Sequence, residues 1–169
     1  QLDHFWSKID YPLLAVCFYN LVPSCASCNY NKLTSEFSIS PYDSSIEVDD
    51  LFRFNYNLES IHQPRIFIER QKSEKFDLLK KDLDNIGIIE LYQVHSDVIE
   101  ELLWKKKIYS KSYKEGINSL FQKNGMKQLT ESEINRFITG AYTDSKEYGK
   151  RPLSKFVTDI SRNIGLIGE

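Results

Sequence analysis

The sequence has no long apolar run, no marked net charge and few cysteines. No segment approaches the roughly 18 consecutive apolar residues of a membrane span, and no basic segment followed by an apolar core and a cleavage site indicates a signal peptide. We therefore expect a cytoplasmic protein without a membrane partner. The 22 basic and 24 acidic side chains give a formal charge of −2, so any binding of nucleic acid depends on a local patch rather than on the overall field.

The three cysteines are Cys17, Cys25 and Cys28. An odd number with a two-residue gap favours metal binding in a reducing compartment over a disulfide framework. With 169 residues and 41% hydrophobic composition, the chain can bury one sizeable core but not two large independent ones. The densest motif begins two residues after Gln1, so we expect further residues upstream.

The first 45 residues are rich in Asn, Ser, Pro and Cys, a composition typical of a loop-rich site. We therefore divide the chain into residues 1–45, which carry the functional motif, and residues 46–169, within the same compact unit. A short buried helix or turn is predicted over residues 11–19. Two helical turns are predicted over residues 25–33, with Ser24 as their N-cap.

The remainder is predicted to form a short hairpin and a mainly helical body. Apolar and polar residues alternate over 51–58 and 65–70, as in two half-buried strands. Apolar residues recur at three- and four-residue steps over about 90–123, which predicts one long helix, or two with a break near Ser110.

Two further helices are predicted from their terminal residues. Thr130 and Glu133 form a capping-box pattern, from which a helix is expected to run to about Tyr142. Pro152 fits the first turn of a last helix, and Gly165 fits its C-terminal end. The predicted fold class is therefore α+β.

Polar residues with a defined spacing are concentrated in residues 3–32. They are Asp3-His4, Asn20-Leu21, the Cys25–Asn29 run and Lys32. The patterns DHF-x-x-K-x-x-YP, NL-x-P-x-C-x-x-C-N-x-x-K and SPYD resemble those of bacterial His-Asn-His (HNH) or ββα-metal endonucleases, over residues 2–43. This resemblance implies a small ββα-metal motif at the N-terminus that is N-terminally incomplete in this chain.

Phosphodiester hydrolysis needs an activated water, a cation facing the phosphate and protonation of the leaving oxygen. By resemblance, His4 is the general base, for which imidazole is suited because it titrates near neutral pH. The resemblance also implies that Asn20 orients the imidazole by a hydrogen bond, and that Asp3 and Asn29 hold one catalytic cation. Their oxygen donors suit Mg²⁺ or Mn²⁺. Lys32 is expected to contact a substrate phosphate.

By the same resemblance, Cys25 and Cys28 form half of a structural Zn²⁺ site. Such a site needs four ligands, so the other two are expected upstream of this chain. The alternative is that both cysteines are small buried apolar residues. His62 and His95 lie outside the motif and are expected to be structural residues.

Two basic clusters lie outside the motif. They are Lys105–Lys107 with Lys111 and Lys114, and Lys146, Lys150, Arg151 and Lys155. Cations that face phosphates supply affinity that does not depend on base sequence, so both clusters are candidate tracks for the substrate backbone. The alternative for each is a solvated helix face.

The resemblance therefore implies a metal-dependent HNH endonuclease that hydrolyses DNA, with little base preference because no recognition helix or finger is evident. Family members with this motif often act in anti-phage defence beside an ATPase, so a regulatory ATPase subunit is the expected partner. Two alternatives remain open, an RNA-directed nuclease and a catalytically silent, zinc-stabilised adaptor. The combination of Asp3, His4, Asn20 and Asn29 argues against the adaptor, which has no need for it.

Overall fold

Strands and helices of the chain are defined by a computed structural model that describes residues 1–33, 35–60 and 63–168. His62 lies outside these residues. The fold is mixed α+β, with two small antiparallel sheets and a helical body, which confirms the predicted fold class at this level.

The described part of the chain contains four strands, β1 (Leu2–His4), β2 (Leu21–Pro23), β3 (Phe52–Ser60) and β4 (Gln63–Arg70). The helices in the same residues are α1 (Ala26–Lys32), α2 (Val48–Leu51), α3 (Phe76–Ile86), α4 (Ile88–Gln93), α5 (Ser96–Ile108), α6 (Lys111–Lys123), α7 (Glu131–Thr139) and α8 (Ser154–Asn163). Short 3-10 turns lie at Pro12–Leu14, Phe18–Asn20 and Ser145–Lys150.

The chain divides into two compact units, and each consists of two segments. The first unit comprises Gln1–Phe52 and Arg70–Tyr92, and the second comprises Arg53–Glu69 and Gln93–Glu169. Neither unit has a boundary at residue 45.

The first unit is built around β1, β2, α1 and α3. The antiparallel register pairs Asp3 with Val22 and His4 with Leu21. Helix α1 packs against α3, and the side-chain amide of Asn31 donates a hydrogen bond of 2.9 Å to the carbonyl oxygen of Ile86. The packing of α3 therefore fixes the position of α1.

Helix α3 was not predicted, although its sequence carries a helical signal. Phe76, Leu79, Leu83 and Ile86 recur at three- and four-residue steps. Gly87 follows with a φ of 66°, a left-handed conformation that costs glycine little and ends the helix. The apolar spacing and the terminating glycine together are sufficient to predict a helix over these residues.

The second unit has a core of apolar side chains from α5, α7, α8 and the β3–β4 hairpin. Phe54 of the hairpin meets Phe156 of α8 edge to face, with ring centroids 5.5 Å apart. Ile99, Leu102 and Ile160 are almost completely buried. Full burial of one such side chain contributes about 1.5–3 kcal/mol, so these three residues make a large contribution to the stability of this unit.

Several predicted elements are confirmed in the second unit. Strands β3 and β4 form the predicted hairpin. The helical region over 90–123 breaks at Ser110, whose hydroxyl accepts a hydrogen bond from the Tyr113 amide and caps α6. A further interruption between α4 and α5 was not predicted.

The helix ends in this unit agree with the sequence only in part. Thr130 and Glu133 form the predicted capping box, but α7 ends at Thr139, where Gly140 adopts a φ of 76°. Helix α8 begins at Ser154, after Pro152. Gly165 has a φ of 66° just beyond the end of α8, as predicted for a terminating glycine.

Two predictions for the first unit are wrong. Residues 11–19 contain 3-10 turns as predicted, but their apolar side chains are not buried, since Leu13 is 93% and Val16 89% exposed. The N-cap of α1 is Cys25 rather than Ser24, because the Cys25 sulfur accepts the hydrogen bond from the helix backbone.

Candidate functional site

The predicted catalytic residues lie on β1, on the loop that follows it and on α1. Side chains alternate between the two faces of a strand, so Asp3 and His4 point in different directions. Asp3 points toward Lys32 of α1, and His4 points toward the loop between β1 and β2.

His4 is held by its ring and remains partly exposed. Its Nε2 lies 3.0 Å from the backbone carbonyl oxygen of Ala15. A carbonyl oxygen only accepts hydrogen bonds, so Nε2 donates here, and in the neutral ring Nδ1 carries the lone pair. The Ala15 carbonyl thus fixes both the tautomer and the direction of the imidazole, and Nδ1 is the ring atom that can accept a proton.

Asn20 is 2% exposed and holds the loop rather than the imidazole. Its Oδ1 accepts a 2.7 Å hydrogen bond from the Trp6 amide, and its Nδ2 donates to the carbonyl oxygens of Trp6 and Leu14 at 3.1 and 3.0 Å. The expected direct bond to His4 is therefore replaced by an indirect link. Asn20 fixes the backbone next to Ala15, and Ala15 holds His4.

Asp3 and Lys32 form an ion pair that is largely removed from solvent. The Lys32 ammonium lies 3.2 Å from Oδ2 of Asp3 and donates a 2.7 Å hydrogen bond to the His4 carbonyl oxygen. It also lies 5.5 Å from the ring centroid of Phe37. Lys32 is 5% exposed, so this geometry differs from the expected contact with a substrate phosphate, and Lys32 instead positions Asp3 and the end of β1.

The oxygen donors of Asp3 and Asn29 suit a hydrated divalent cation in type, although their hydrogen bonds go to different partners. The side-chain amide nitrogen of Asn29 donates a hydrogen bond to Oε1 of Gln1 at 2.9 Å. The Oδ1 atom of Asn29 is then the atom that can bind a metal ion. Oδ1 of Asp3 accepts from the His4 amide at 2.8 Å, and Lys32 lies at Oδ2. Mg²⁺ commonly binds through one or two protein oxygens and keeps several waters, so the type of oxygen at these two residues suits such an ion, although the Lys32 ammonium already balances the charge of Asp3.

Cys25 and Cys28 lie together at the start of α1. The Cys28 amide donates to the Cys25 sulfur at 3.3 Å, and this hydrogen bond, followed by the one from the Cys28 thiol, lowers the pKa of Cys25. Burial, followed by the neighbouring Cys25, raises the pKa of Cys28 to about 11. Cys25 is exposed, so the alternative of two buried apolar residues does not hold.

A third protein ligand for a metal at this pair is not found among the described residues. Over residues 1–33, 35–60 and 63–168, no three or more His, Cys, Asp and Glu side chains form a group that could hold a metal ion. Zinc at Cys25 and Cys28 would therefore need two further ligands.

Tyr42 is a residue of the site that sequence reasoning did not single out. Its hydroxyl donates a 2.6 Å hydrogen bond to the Leu21 carbonyl oxygen of β2. Its ring lies 5.8 Å from the rings of both Phe18 and Tyr19. Tyr42 belongs to the SPYD pattern, so the resemblance marked its position, but only the fold shows that it braces the strand opposite His4.

An apolar cavity of about 300 Å³ lies beside Asp3 and Lys32. Its walls include Phe5, Val22 and Phe37, and neither His4 nor Asn20 lines it. A phosphate requires polar donors rather than apolar walls, so the cavity is not a site for the scissile group.

The basic cluster around Lys105–Lys107 is largely engaged within the second unit. Lys106 and Lys114 donate to the carbonyl oxygens of Gly165 and Leu166. Lys105 pairs with Glu101 at 2.6 Å. Lys106 and Lys114 therefore complement the C-terminal end of α8, where cations are favourable, and are poorly placed to follow a phosphate backbone.

Comparisons with protein-family models, with curated proteins and with solved structures find no match to this chain. Every helix within the described residues is too short or too polar to cross a membrane.

Proposed function

We propose that the chain is a metal-dependent nuclease of the HNH type that hydrolyses phosphodiester bonds in DNA, with His4 as its general base. The observation that carries this proposal is the anchored imidazole. Nε2 of His4 is fixed on the Ala15 carbonyl, so the lone pair of Nδ1 has a defined direction in a partly exposed position. One ring nitrogen is thereby left to accept a proton, as a general base requires.

In the proposed reaction, Nδ1 of His4 removes a proton from a water molecule, and the water oxygen attacks the phosphorus atom. The P–O bond to the leaving oxygen then breaks, and that oxygen takes a proton from solvent. Asn20 contributes by holding the loop that orients His4. Asp3 and Asn29 would hold a Mg²⁺ or Mn²⁺ ion, which would supply positive charge to the phosphate.

The Asp3–Lys32 pair supports this proposal by fixing the strand that carries His4. Lys32 bonds both the Asp3 carboxylate and the His4 carbonyl oxygen. Two adjacent residues of β1 are thereby tied to α1, the helix that bears Asn29. The proposed role of Lys32 is thus positioning rather than contact with substrate.

Structural zinc at Cys25 and Cys28 is a further part of the proposal. The backbone hydrogen bond to the Cys25 sulfur favours the thiolate, which is the form that binds metal. A metal at this pair would stabilise the first turn of α1 and so the position of Asn29. A role in anti-phage defence beside an ATPase subunit is proposed from the resemblance alone.

Nuclease assays on three substrates test the proposal. Supercoiled plasmid, linear duplex DNA and structured RNA are incubated with the chain in Mg²⁺, Mn²⁺ or EDTA. We expect nicking of plasmid with either metal and none in EDTA or with His4→Ala. Cleavage of RNA alone favours an RNA-directed nuclease. No cleavage of any substrate by a folded, metal-loaded protein contradicts the proposal and favours the adaptor.

A further inference from the structure

The second unit contains a groove between α6, α7 and the segment that follows α7. Its lining includes Phe121, Glu133, Arg136, Phe137, Tyr142 and Arg151, and we call it the Tyr142 groove. Its volume is about 530 Å³, within the roughly 300–1,000 Å³ of typical ligand sites.

An aromatic ring is presented to solvent at this groove. Phe137 is 65% exposed on α7, while its neighbour Ile138 is buried in the core. One face of α7 therefore packs on the core, and the ring of Phe137 lies on the opposite face. An exposed aromatic ring contributes little to the stability of the fold, but it offers a flat surface on which a base can stack.

Two guanidinium groups are held at the same place by Tyr142. The central carbon of Arg136 lies 5.2 Å from the Tyr142 ring centroid, and that of Arg151 lies 5.8 Å away. Arg151 also donates a hydrogen bond to the Gly140 carbonyl oxygen at the end of α7. A cation–π contact with a ring restrains a guanidinium, and the N–H groups that remain can still bind an anion.

The carboxylate of Glu133 is the acidic group of the groove, and it is engaged in capping α7. Oε2 of Glu133 accepts hydrogen bonds of 2.7 and 2.8 Å from the amide and hydroxyl of Thr130. Among the six named residues, two guanidinium groups face one carboxylate, so the groove carries positive charge. Lys150 adds a third cation 5.4 Å from the Tyr142 ring, although it also pairs with Glu147.

We propose that the Tyr142 groove binds single-stranded nucleic acid, with a base stacked on Phe137 and phosphates on Arg136 and Arg151. An exposed ring beside guanidinium groups matches the alternation of bases and phosphates along a strand. A duplex hides the faces of its bases, and an apolar peptide gains nothing from the two cations. This inference goes beyond the proposed nuclease activity, because it concerns a surface of the second unit and holds whether or not the chain cleaves DNA.

Fluorescence anisotropy with a labelled thymidine oligonucleotide tests this inference. The titration is done with the whole chain in EDTA, so that cleavage plays no part. We expect the single strand to bind, and we expect substitutions in the groove to weaken its binding more than that of the duplex formed with its complement. Phe137→Leu keeps apolar bulk but removes the ring, and we expect it to weaken binding about tenfold, as for loss of one stacked base. Phe137→Trp restores a ring and should retain affinity.

The contribution of the Arg136 charge is tested by the salt dependence of binding. Each phosphate contact on a single strand contributes about 0.7 to the slope of log affinity against log salt. Arg136→Ala should lower the slope by about this amount, and Arg136→Lys should preserve it. Lys81→Ala, an exposed charge on α3 of the first unit, is the control and should leave the slope unchanged.

Three results would overturn the inference. One is no binding of the single strand, or a loss of affinity in Phe137→Leu that is equal for single strand and duplex. Another is Phe137→Leu binding as tightly as the wild type while its circular dichroism is unchanged. The third is displacement of the oligonucleotide by poly-glutamate at equal charge concentration, which would identify the groove as a site for acidic protein.

Discussion

The Lys32 ammonium and the Asp3 carboxylate are 3.2 Å apart, and their side chains are only 6% and 14% exposed. Two charges removed from water lose hydration, and their mutual attraction offsets that loss only while both are present. Each residue therefore depends on the other. The pair constrains how the site can be altered by mutation.

We expect Lys32→Met to lower the free energy of unfolding by about 3 kcal/mol, because it leaves Asp3 as an uncompensated buried carboxylate. Urea denaturation measures the change. The double variant Asp3→Asn with Lys32→Met should be more stable than Lys32→Met alone, since neither charge remains. Unchanged stability with weaker DNA binding would instead assign Lys32 to a substrate phosphate.

Replacing His4 by alanine should separate activity from stability. A positioned general base contributes about 10² to 10⁴ in rate, while a partly exposed ring contributes little to the core. We expect His4→Ala to lose plasmid nicking and to keep its thermal midpoint and its affinity for DNA. Cleavage at the wild-type rate by this variant would remove His4 from the mechanism.

A cation ligand should respond to metal concentration where the base does not. We expect Asn29→Ala to lose nicking activity and to recover part of it as Mn²⁺ is raised, because weaker binding is offset by mass action. His4→Ala is the matched control, and added Mn²⁺ should not restore it. Asn29 is preferable to Asp3 for this test, because loss of Asp3 also leaves Lys32 without its partner.

Asn20→Ala should destabilise the first unit by about 2 kcal/mol, since it leaves partly buried backbone groups of Trp6 and Leu14 without partners. Activity should fall with stability, because the loop no longer holds Ala15 against His4. Urea denaturation and nicking rates on the same samples test both effects. If Asn20 acted on His4 alone, the rate would fall while stability stayed unchanged.

The two thiols should differ in reactivity when no metal is bound. The lowered pKa of Cys25 gives it more thiolate near neutral pH, whereas the pKa of Cys28, about 11, delays its alkylation to strongly alkaline pH. Peptide mass spectrometry after timed iodoacetamide treatment measures each rate across pH. Added Zn²⁺ should slow alkylation of Cys25. Equal rates at neutral pH would contradict the hydrogen bond between the Cys28 amide and the Cys25 sulfur.

Local signals in the sequence were sufficient for several elements of the fold. The capping box at Thr130 and the break at Ser110 depend on side chains within three residues of the helix start, so both could be predicted. The exposure of Leu13 and Val16 could not, because an apolar run does not reveal whether another element covers it. That outcome depends on which distant segments pack on residues 11–19.

The residues of the candidate site could be selected from the sequence, but their partners could not. The spacing of Asp3, His4, Asn20 and Asn29 suggested the set. The bond from Lys32 to Asp3 depends on the packing of α1 against β1, and the bonds from Asn20 depend on the path of the loop. Sequence spacing reveals neither set of bonds. The sequence therefore predicts that Lys32 contacts substrate directly and that Asn20 contacts His4 directly.

The interlaced order of the two units affects how the chain is made. Helix α1 is fixed by Ile86, which lies 55 residues after Asn31, and the β3–β4 hairpin of the other unit is synthesised in between. At about 5–20 residues per second, a ribosome needs about 3 to 11 s for that stretch. The residues of the candidate site thus leave the ribosome early, but nascent α1 cannot dock until α3 has been synthesised. Asn29, the proposed cation ligand on α1, therefore reaches its position only after the hairpin has been translated.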